Sequence, residues 1–110
     1  MIFRPATRED LETFHGELFN ESCRLWAAVK EPDQVVALGG WYLIANKAMV
    51  ITKVDKEKTT KRERVQAARF LMDKVRRLPF EILAECTQGS EQALAHFGFV
   101  GAGHFWRLVR

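Results

Sequence analysis

One long amphipathic segment between two β-like runs constrains the fold of this chain more than any other feature. The segment covers residues 59–80 and reads TTKRERVQAARFLMDKVRRLPF; it follows MVITKVD and leads into FEILAEC. Its apolar residues recur at helical spacing, whereas the flanking runs are short and rich in aliphatic residues. A strand, a long helix and a second strand form a right-handed crossover. The two strands are therefore expected to be parallel neighbours in one sheet.

The ends of this long helix are also marked in the sequence. Thr60 and Glu63 have the spacing of a capping box, and Pro79 follows the expected stop. Between these marks, one apolar stripe would face the sheet, formed by Val65, Ala68, Leu71, Met72 and Val75.

The residues before this crossover predict a helix and an antiparallel meander. IFRPA is a strand candidate, and a second capping box, Thr7 with Asp10, opens a helix over about residues 8–19. The β-rich runs CRLWAAVKE and VVALGGWYLIAN are joined by a Pro-Asp turn, and NKA turns the chain into MVITKVD. Gly39 and Gly40 lie in the middle strand, where glycine indicates a bulge or a close backbone approach.

The last third of the chain predicts a short helix and a final strand. QALAHF is helical in pattern and is stopped at Gly98, which we expect in the left-handed conformation with Phe99 packed back on Leu94. A loop follows, and GHFWRLV is the last strand. The predicted order is β-α-β-β-β-α-β-α-β, an α+β fold with a mixed, mostly antiparallel sheet flanked by helices.

Composition limits the class of protein. A chain of 110 residues, 47% apolar and 28% charged, predicts one globular domain over residues 1–110. It contains no apolar run long enough for a membrane span, and its N-terminus lacks the apolar core of a secretory signal. We therefore expect a cytoplasmic protein. Cys23 and Cys86 are too few for a disulfide scaffold and have no metal-ligand spacing, so both are predicted to be reduced and buried, with no metal site.

Positive charge is concentrated between Lys53 and Arg69. The net charge of the chain is only +3, but this stretch holds seven basic residues against three acidic ones. It can be a solvated helix face with mixed charges, or it can bind an anion at the helix N-terminus. Nucleic-acid binding is the least favoured interpretation, because aromatic residues do not interleave with the basic ones.

The element order and two local stretches resemble the GNAT superfamily of acyl-coenzyme A dependent N-acetyltransferases. FRPATREDLETF is similar to the usual opening of the family, and SEQALAHFGFV is similar to its closing helix with a terminal Gly-Phe. The resemblance spans nearly the whole chain, although little sequence remains for the family's second helix. Residues 69–99, RFLMDKVRRLPFEILAECTQGSEQALAHFGF, are also similar to small phage- and prophage-encoded GNAT-like proteins, which include internal virion proteins as well as presumed acetyltransferases.

The resemblance implies acetyl-CoA (coenzyme A) as cosubstrate and indicates where it binds. The family's phosphate-binding stretch, Gln/Arg-x-x-Gly-x-Gly/Ala, matches RERVQA, so Arg62 and Ala67 fit, while Val65 stands where the first glycine is expected. The strand before the helix would pair with the pantetheine arm through its main chain. The implied cofactor-binding residues are Thr52, Lys53, Val54, Arg62, Arg64, Val65, Gln66, Ala67 and Thr87. Thr60 and Glu63 compete with this implication, because a helix that caps itself needs no phosphate.

The resemblance also implies a chemistry, with one group missing. Acetyl transfer needs a neutral amine, a polarised thioester and a proton for the thiolate. The family often takes that proton from a tyrosine at the position of Leu94, and His96 is two residues away on the wrong side of the helix. Glu85 is the preferred candidate for the base, before Asp55; both can equally be exposed strand-end carboxylates. Cys86 beside it is predicted to be a packing residue, because no histidine partner is identifiable.

Three functions remain open at this stage. The first is an acyl-CoA dependent N-acetyltransferase with a degenerate phosphate loop, acting on an unidentified amine. The second is a GNAT fold without catalysis, serving as a phage virion or host-interaction protein. The third is a nucleic-acid binder. A homodimer is a further expectation, since Trp26, Trp41 and Trp106 provide more aromatic surface than a small core readily covers.

Overall fold

The computed structural model describes residues 1–14, 24–86 and 90–109. The described residues form seven strands and three helices: β1 Ile2–Pro5, α1 Arg8–Phe14, β2 Arg24–Lys30, β3 Gln34–Ile44, β4 Lys47–Val54, α2 Lys61–Val75, β5 Glu81–Glu85, α3 Glu91–His96, β6 Phe99–Ala102 and β7 Phe105–Leu108. None of these helices is long and apolar enough to cross a membrane. The far end of the predicted first helix lies outside the described residues.

The strands form one sheet in the order β1-β2-β3-β4-β5-β7-β6. All neighbours are antiparallel except β4 and β5, which are parallel, as the crossover through α2 requires. The predicted fold class, an α+β fold with a mixed and mostly antiparallel sheet, is therefore confirmed. The parallel pair lies in the middle of the sheet.

Helices cover both faces of the sheet. Leu71, Met72 and Val75 of α2 are buried in the main core cluster with Ile82 of β5, and α3 packs against the same cluster through Leu94 and Phe97. On the opposite face, α1 packs through Leu11 on a smaller cluster that contains Ala27 and Leu38. Thus α2 and α3 share one face and α1 lies on the other. In the predicted stripe, Val65 and Ala68 are only half-buried.

The end of the chain differs from the prediction. Residues 99–102, expected as a loop, form β6, which pairs antiparallel with β7. Gly101 allows this hairpin, because a Cβ atom there would lie 2.9 Å from Cα and Cγ of Trp106. The sequence FVGAG has too little alternation to be recognised as a strand, and tertiary pairing with β7 decides its conformation.

The three tryptophans do not provide the exposed surface expected of them. Trp41 is buried in the main cluster, and Trp26 and Trp106 are half-buried against it. Trp26 also lies 5.2 Å from Trp41, centroid to centroid, with Nζ of Lys74 4.8 Å above the Trp26 ring. The argument for a homodimer from these residues is therefore removed, and the homodimer itself stays a prediction.

Both predicted capping boxes are present. At α1, the Asp10 backbone N–H donates to Oγ1 of Thr7 (3.2 Å), and the Thr7 N–H donates to Oδ2 of Asp10 (2.8 Å). Asp10 is buried and also accepts two hydrogen bonds from the Arg4 guanidinium, at 2.6 and 3.2 Å. The Arg4 hydrogen bond, with the Thr7 N–H in support, lowers the pKa of Asp10 below its ordinary value.

We expect Asp10→Asn to lower the free energy of unfolding at pH 7 by about 2 kcal/mol, because two charge-assisted hydrogen bonds lose their acceptor charge. The pKa of Asp10 is lower in the folded state than in the unfolded state, so its contribution is present above the unfolded pKa and is lost as pH falls through the folded one. Urea unfolding at pH 7 and pH 3 measures this, and the difference between wild type and variant should shrink at pH 3.

The matched control is Glu12→Gln, on the same helix. Glu12 and its partner Arg8 are both strongly exposed and lie 3.9 Å apart, so this change should alter stability by less than about 0.5 kcal/mol. Equal effects of the two substitutions would contradict a specific role for Asp10.

Candidate active site: a cleft between β4 and β5

The two parallel strands separate part of the way along their length. Their register runs from Lys47 opposite Glu81 to Val50 opposite Ala84, and β4 continues for four more residues, Ile51–Val54, without a partner in β5. On its other side this part of β4 stays paired with β3. The backbone N–H and C=O groups of Ile51–Val54 that point toward β5 are therefore left for another extended molecule. This is the strand that the resemblance assigns to the pantetheine arm.

A cleft of about 520 Å³ fills this opening. Successive side chains of a strand point to opposite faces, so the lining shows which faces the cleft reaches. Val50, Thr52 and Ala84 lie on the face covered by α2 and α3, whereas Met49, Ile51 and Glu85 lie on the other face. The cleft therefore connects both faces of the sheet. Its full lining is Tyr42, Met49, Val50, Ile51, Thr52, Lys53, Ala68, Leu71, Met72, Ala84, Glu85, Ser90, Ala93, Leu94, Phe97, Phe99 and Phe105.

Helix α3 forms one wall of the cleft. It is held by the glycine stop predicted from the sequence: Gly98 has φ +94°, and its N–H donates to the carbonyl of Ala95 (3.1 Å). Phe99 is then buried in the main core cluster against which Leu94 packs. Leu94, which the resemblance aligns with a position where a tyrosine often donates a proton, lines the cleft, but its side chain has no proton to give. His96 is exposed and is absent from the lining.

The N-terminus of α2 is closed by its own side chains. The Thr60 N–H donates to Oε1 of Glu63 (2.9 Å), and the Glu63 N–H donates to Oγ1 of Thr60 (3.1 Å). Nζ of Lys30 also donates to Oε1 of Glu63 (3.1 Å). The Thr60 N–H first, and Lys30 next, lower the pKa of Glu63 below its ordinary value, so the carboxylate is ionised at neutral pH.

The residues predicted to hold the cofactor are divided between two places. Thr52 and Lys53 line the cleft, whereas Val54, Arg64 and Ala67 line a separate apolar pocket of about 130 Å³ between α2 and β1–β4, which Thr52 also reaches. Arg62, Val65 and Gln66 line neither and lie in the first turns of α2. Arg64 donates to the backbone oxygen of Thr59 (2.8 Å), which holds its guanidinium beneath the preceding loop. Thr87 lies outside the described residues.

The candidate bases are also separated. Glu85 is exposed at the end of β5 and lines the cleft. Asp55 is engaged in the turn after β4, where its carboxylate accepts from the Glu57 N–H (3.0 Å), and it is absent from the lining. Cys86 was expected to be buried but is half-buried, because it lies just beyond the end of β5. Its backbone N–H donates to the carbonyl of His104. Cys23 lies outside the described residues.

Several lining residues were not identified from the sequence. Tyr42 and Met49 come from β3 and β4, Ser90 and Ala93 from the start of α3, and Phe105 from β7, where its side chain is 58% exposed. Among these residues, only Phe105 has a sequence feature that could have indicated a place in the cleft, because it is an aromatic residue at the start of the last strand. No group of three or more His, Cys, Asp or Glu side chains in the described ranges could hold a metal ion.

The architecture is shared with proteins of known structure. No protein-family model and no curated protein matches the sequence. Among solved structures, the ribosomal-protein-S18-alanine N-acetyltransferase of Escherichia coli superposes with a TM-score of 0.74 at 13% identity, over 97% of this chain and 92% of that one. The dodecameric spermidine N-acetyltransferase of Vibrio cholerae superposes with a TM-score of 0.65 at 14% identity, over 96% of this chain and 90% of that one.

A third structure, a Bordetella pertussis protein assigned to the GnaT family of acetyltransferases, gives a TM-score of 0.67 at 12% identity, over 90% of this chain and 73% of that one. At these identities the likeness concerns the backbone and not the side chains of the site. The chain therefore has the fold of the GNAT acetyltransferases.

Proposed function

We propose that this protein transfers an acetyl group from acetyl-CoA to an amine. The observation that carries the proposal is the cleft between β4 and β5, which connects both faces of the sheet and has unpaired β4 backbone along one side. Two substrates can meet in such a cleft from opposite faces without exchanging places. A carboxylate, that of Glu85, lies in the lining on the face opposite α2 and α3.

The residues present fit the pantetheine arm of the cosubstrate. Ile51–Val54 extend about 13 Å at the usual strand rise, and their free backbone groups can pair with the amides of the arm as another strand would. Leu71, Met72, Leu94 and Phe97 provide an apolar wall beside them. The arm would enter from the face that carries α2 and α3.

Glu85 would then remove a proton from the incoming ammonium, so that the neutral amine nitrogen attacks the thioester carbonyl carbon. The carbon–sulfur bond breaks, the attacking nitrogen releases its second excess proton to solvent, and the departing thiolate takes up one proton. Since Leu94 cannot supply it, the proton comes from water or from a hydroxyl in the lining, that of Tyr42 or Ser90.

Isothermal titration with acetyl-CoA, followed by an acetyl-transfer assay on a panel of amines, tests the proposal. We expect Ala93→Trp to weaken acetyl-CoA binding at least tenfold, on the order of 1.4 kcal/mol, because Ala93 lines the cleft and the indole would fill it. Ala95→Trp is the control, because Ala95 is exposed on the same helix but is absent from the lining. Absence of acetyl-CoA binding to the wild type at millimolar concentration contradicts the proposal.

A second function is favoured by two observations: Leu94 in place of a proton donor, and the self-capped N-terminus of α2. This is a GNAT fold without catalysis, acting as a phage virion or host-interaction protein. Ligand binding without transfer to any amine would support it, and measured acetyl transfer would count against it. A salt-dependent gel shift would instead indicate a nucleic-acid binder.

A further inference from the structure

A negative charge lies where the diphosphate end of a bound coenzyme A would reach. The connection from β4 to α2 is only six residues long, so the first turn of α2 lies at the same end of the sheet as the open part of the cleft. A pantetheine arm paired along Ile51–Val54 has its far end at this turn. The side chain on this turn that is held against the helix N-terminus is the carboxylate of Glu63.

The hydrogen-bond donors of this turn are partly used. A helix N-terminus has four N–H groups without an intrahelical acceptor, here those of Thr60, Lys61, Arg62 and Glu63. Glu63 and Thr60 take two of them in the capping box. From Arg64 onward the N–H groups donate within the helix, beginning with Arg64 to the Thr60 carbonyl (3.0 Å). A diphosphate would meet two donors and an adjacent carboxylate.

Three cations around this turn are engaged inside the protein, whereas Lys61 and Arg62 on the turn itself are exposed. Lys30 bonds Glu63 and the Lys58 carbonyl, at 3.1 and 3.3 Å. Arg64 bonds the backbone and the hydroxyl of Thr59, at 2.8 and 3.3 Å. Lys58 lies 3.8 Å from Asp55. These contacts already neutralise positive charge that a phosphate-binding site would leave available.

We infer that Glu63 is a specificity-determining residue, and that the cleft recognises its acyl donor by the uncharged pantetheine arm and not by the diphosphate of coenzyme A. This rests on the proposed function. The arm can be presented by a nucleotide or, as 4′-phosphopantetheine, by a carrier protein, and the cleft would accept either source. Glu63 disfavours whichever donor brings more negative charge to the first turn of α2.

The test compares S-acetyl-pantetheine, S-acetyl-4′-phosphopantetheine and acetyl-CoA, titrated into wild type and Glu63→Gln. Glutamine keeps the capping box but removes the charge. For wild type we expect acetyl-CoA to bind no more than about fivefold tighter than S-acetyl-pantetheine. Glu63→Gln should raise the affinity for acetyl-CoA about fivefold at low ionic strength and by less at high salt. The affinity for S-acetyl-pantetheine should stay unchanged.

Glu81→Gln is the matched control. It removes one exposed carboxylate, paired with Lys47 at 3.7 Å, at the closed end of the β4–β5 pair, and should change none of the three affinities. The inference is overturned if wild type binds acetyl-CoA far more tightly than S-acetyl-pantetheine and Glu63→Gln changes neither of these two affinities. That outcome leaves the proposed function standing, whereas binding of none of the three donors overturns both.

Discussion

Gly40→Ala is expected to lower the free energy of unfolding by about 3 kcal/mol or more, with a fall in Tm of about 10 °C or more. A Cβ atom at Gly40 would collide with the backbone oxygen of Arg24 and lie 2.8 Å from Cα of Leu25. These are backbone atoms of the adjacent strand β2, paired to β3 by hydrogen bonds. They can move only if the register is disturbed, and the total stability of a small domain is only about 5–15 kcal/mol.

Gly39→Ala is the control at the neighbouring position. Its Cβ would lie 3.1 Å from Cδ2 of Leu71, the end of a flexible side chain, so a small rotation relieves the contact. Alanine also has less conformational entropy to lose than glycine, and the net change should stay within about 1 kcal/mol. Urea denaturation of both variants measures the difference. Similar stabilities would mean that β2 does not approach Gly40 as closely as the structure shows.

This pair of glycines shows what the sequence can and cannot predict. The sequence indicated a bulge or a close backbone approach at Gly39–Gly40, and the register there is regular, with the bulge between Ala28 and Val29 instead. The close approach is correct for Gly40. A Cβ atom on each of the two glycines would point to a different face of the sheet, and a different element covers each face. These two facts decide which glycine is indispensable, and the local sequence shows neither of them.

Features with local causes were predicted well. The two capping boxes need only a hydroxyl and a carboxylate three residues apart, and both formed as predicted. The parallel β4–β5 pair follows from the helical crossover that joins the two strands, and the left-handed Gly98 follows from a glycine after a short helix. Each of these depends on neighbouring residues or on a general rule of connection.

The lining of the cleft was predicted only in part, because it comes from elements far apart in sequence. Thr52, Lys53 and Glu85 were identified, since they lie at the ends of the parallel strands. Tyr42 and Phe105 reach the cleft only through the order of β3, β5 and β7 in the sheet. The basic stretch was predicted from its charge count, but the bond from Lys30 of β2 to Glu63 inside that stretch requires tertiary structure.

If the proposed function is correct, Glu85→Gln should have the largest effect on activity. We expect kcat/KM for acetyl transfer at pH 7 to fall about 100-fold, because an amide cannot accept the proton of the ammonium. Glu85 is exposed and its side chain is not part of the core clusters, so Tm and the affinity for acetyl-CoA should stay unchanged. A fall in rate without a fall in binding separates a role in proton transfer from a role in holding the cosubstrate.

Glu81→Gln provides the control for this variant on the same strand. Glu81 and Glu85 are both exposed and lie four residues apart, so their side chains point to the same face of the sheet. They differ in place: Glu81 is opposite Lys47 where β4 and β5 are paired, and Glu85 lies beyond the last pair. If position in the cleft makes Glu85 the base, Glu81→Gln retains at least about half of the wild-type rate, since exposed ion pairs have little effect.

Wild-type activity in Glu85→Gln would instead show that another group, or water, takes the proton, and the cleft would then act by bringing the two substrates together.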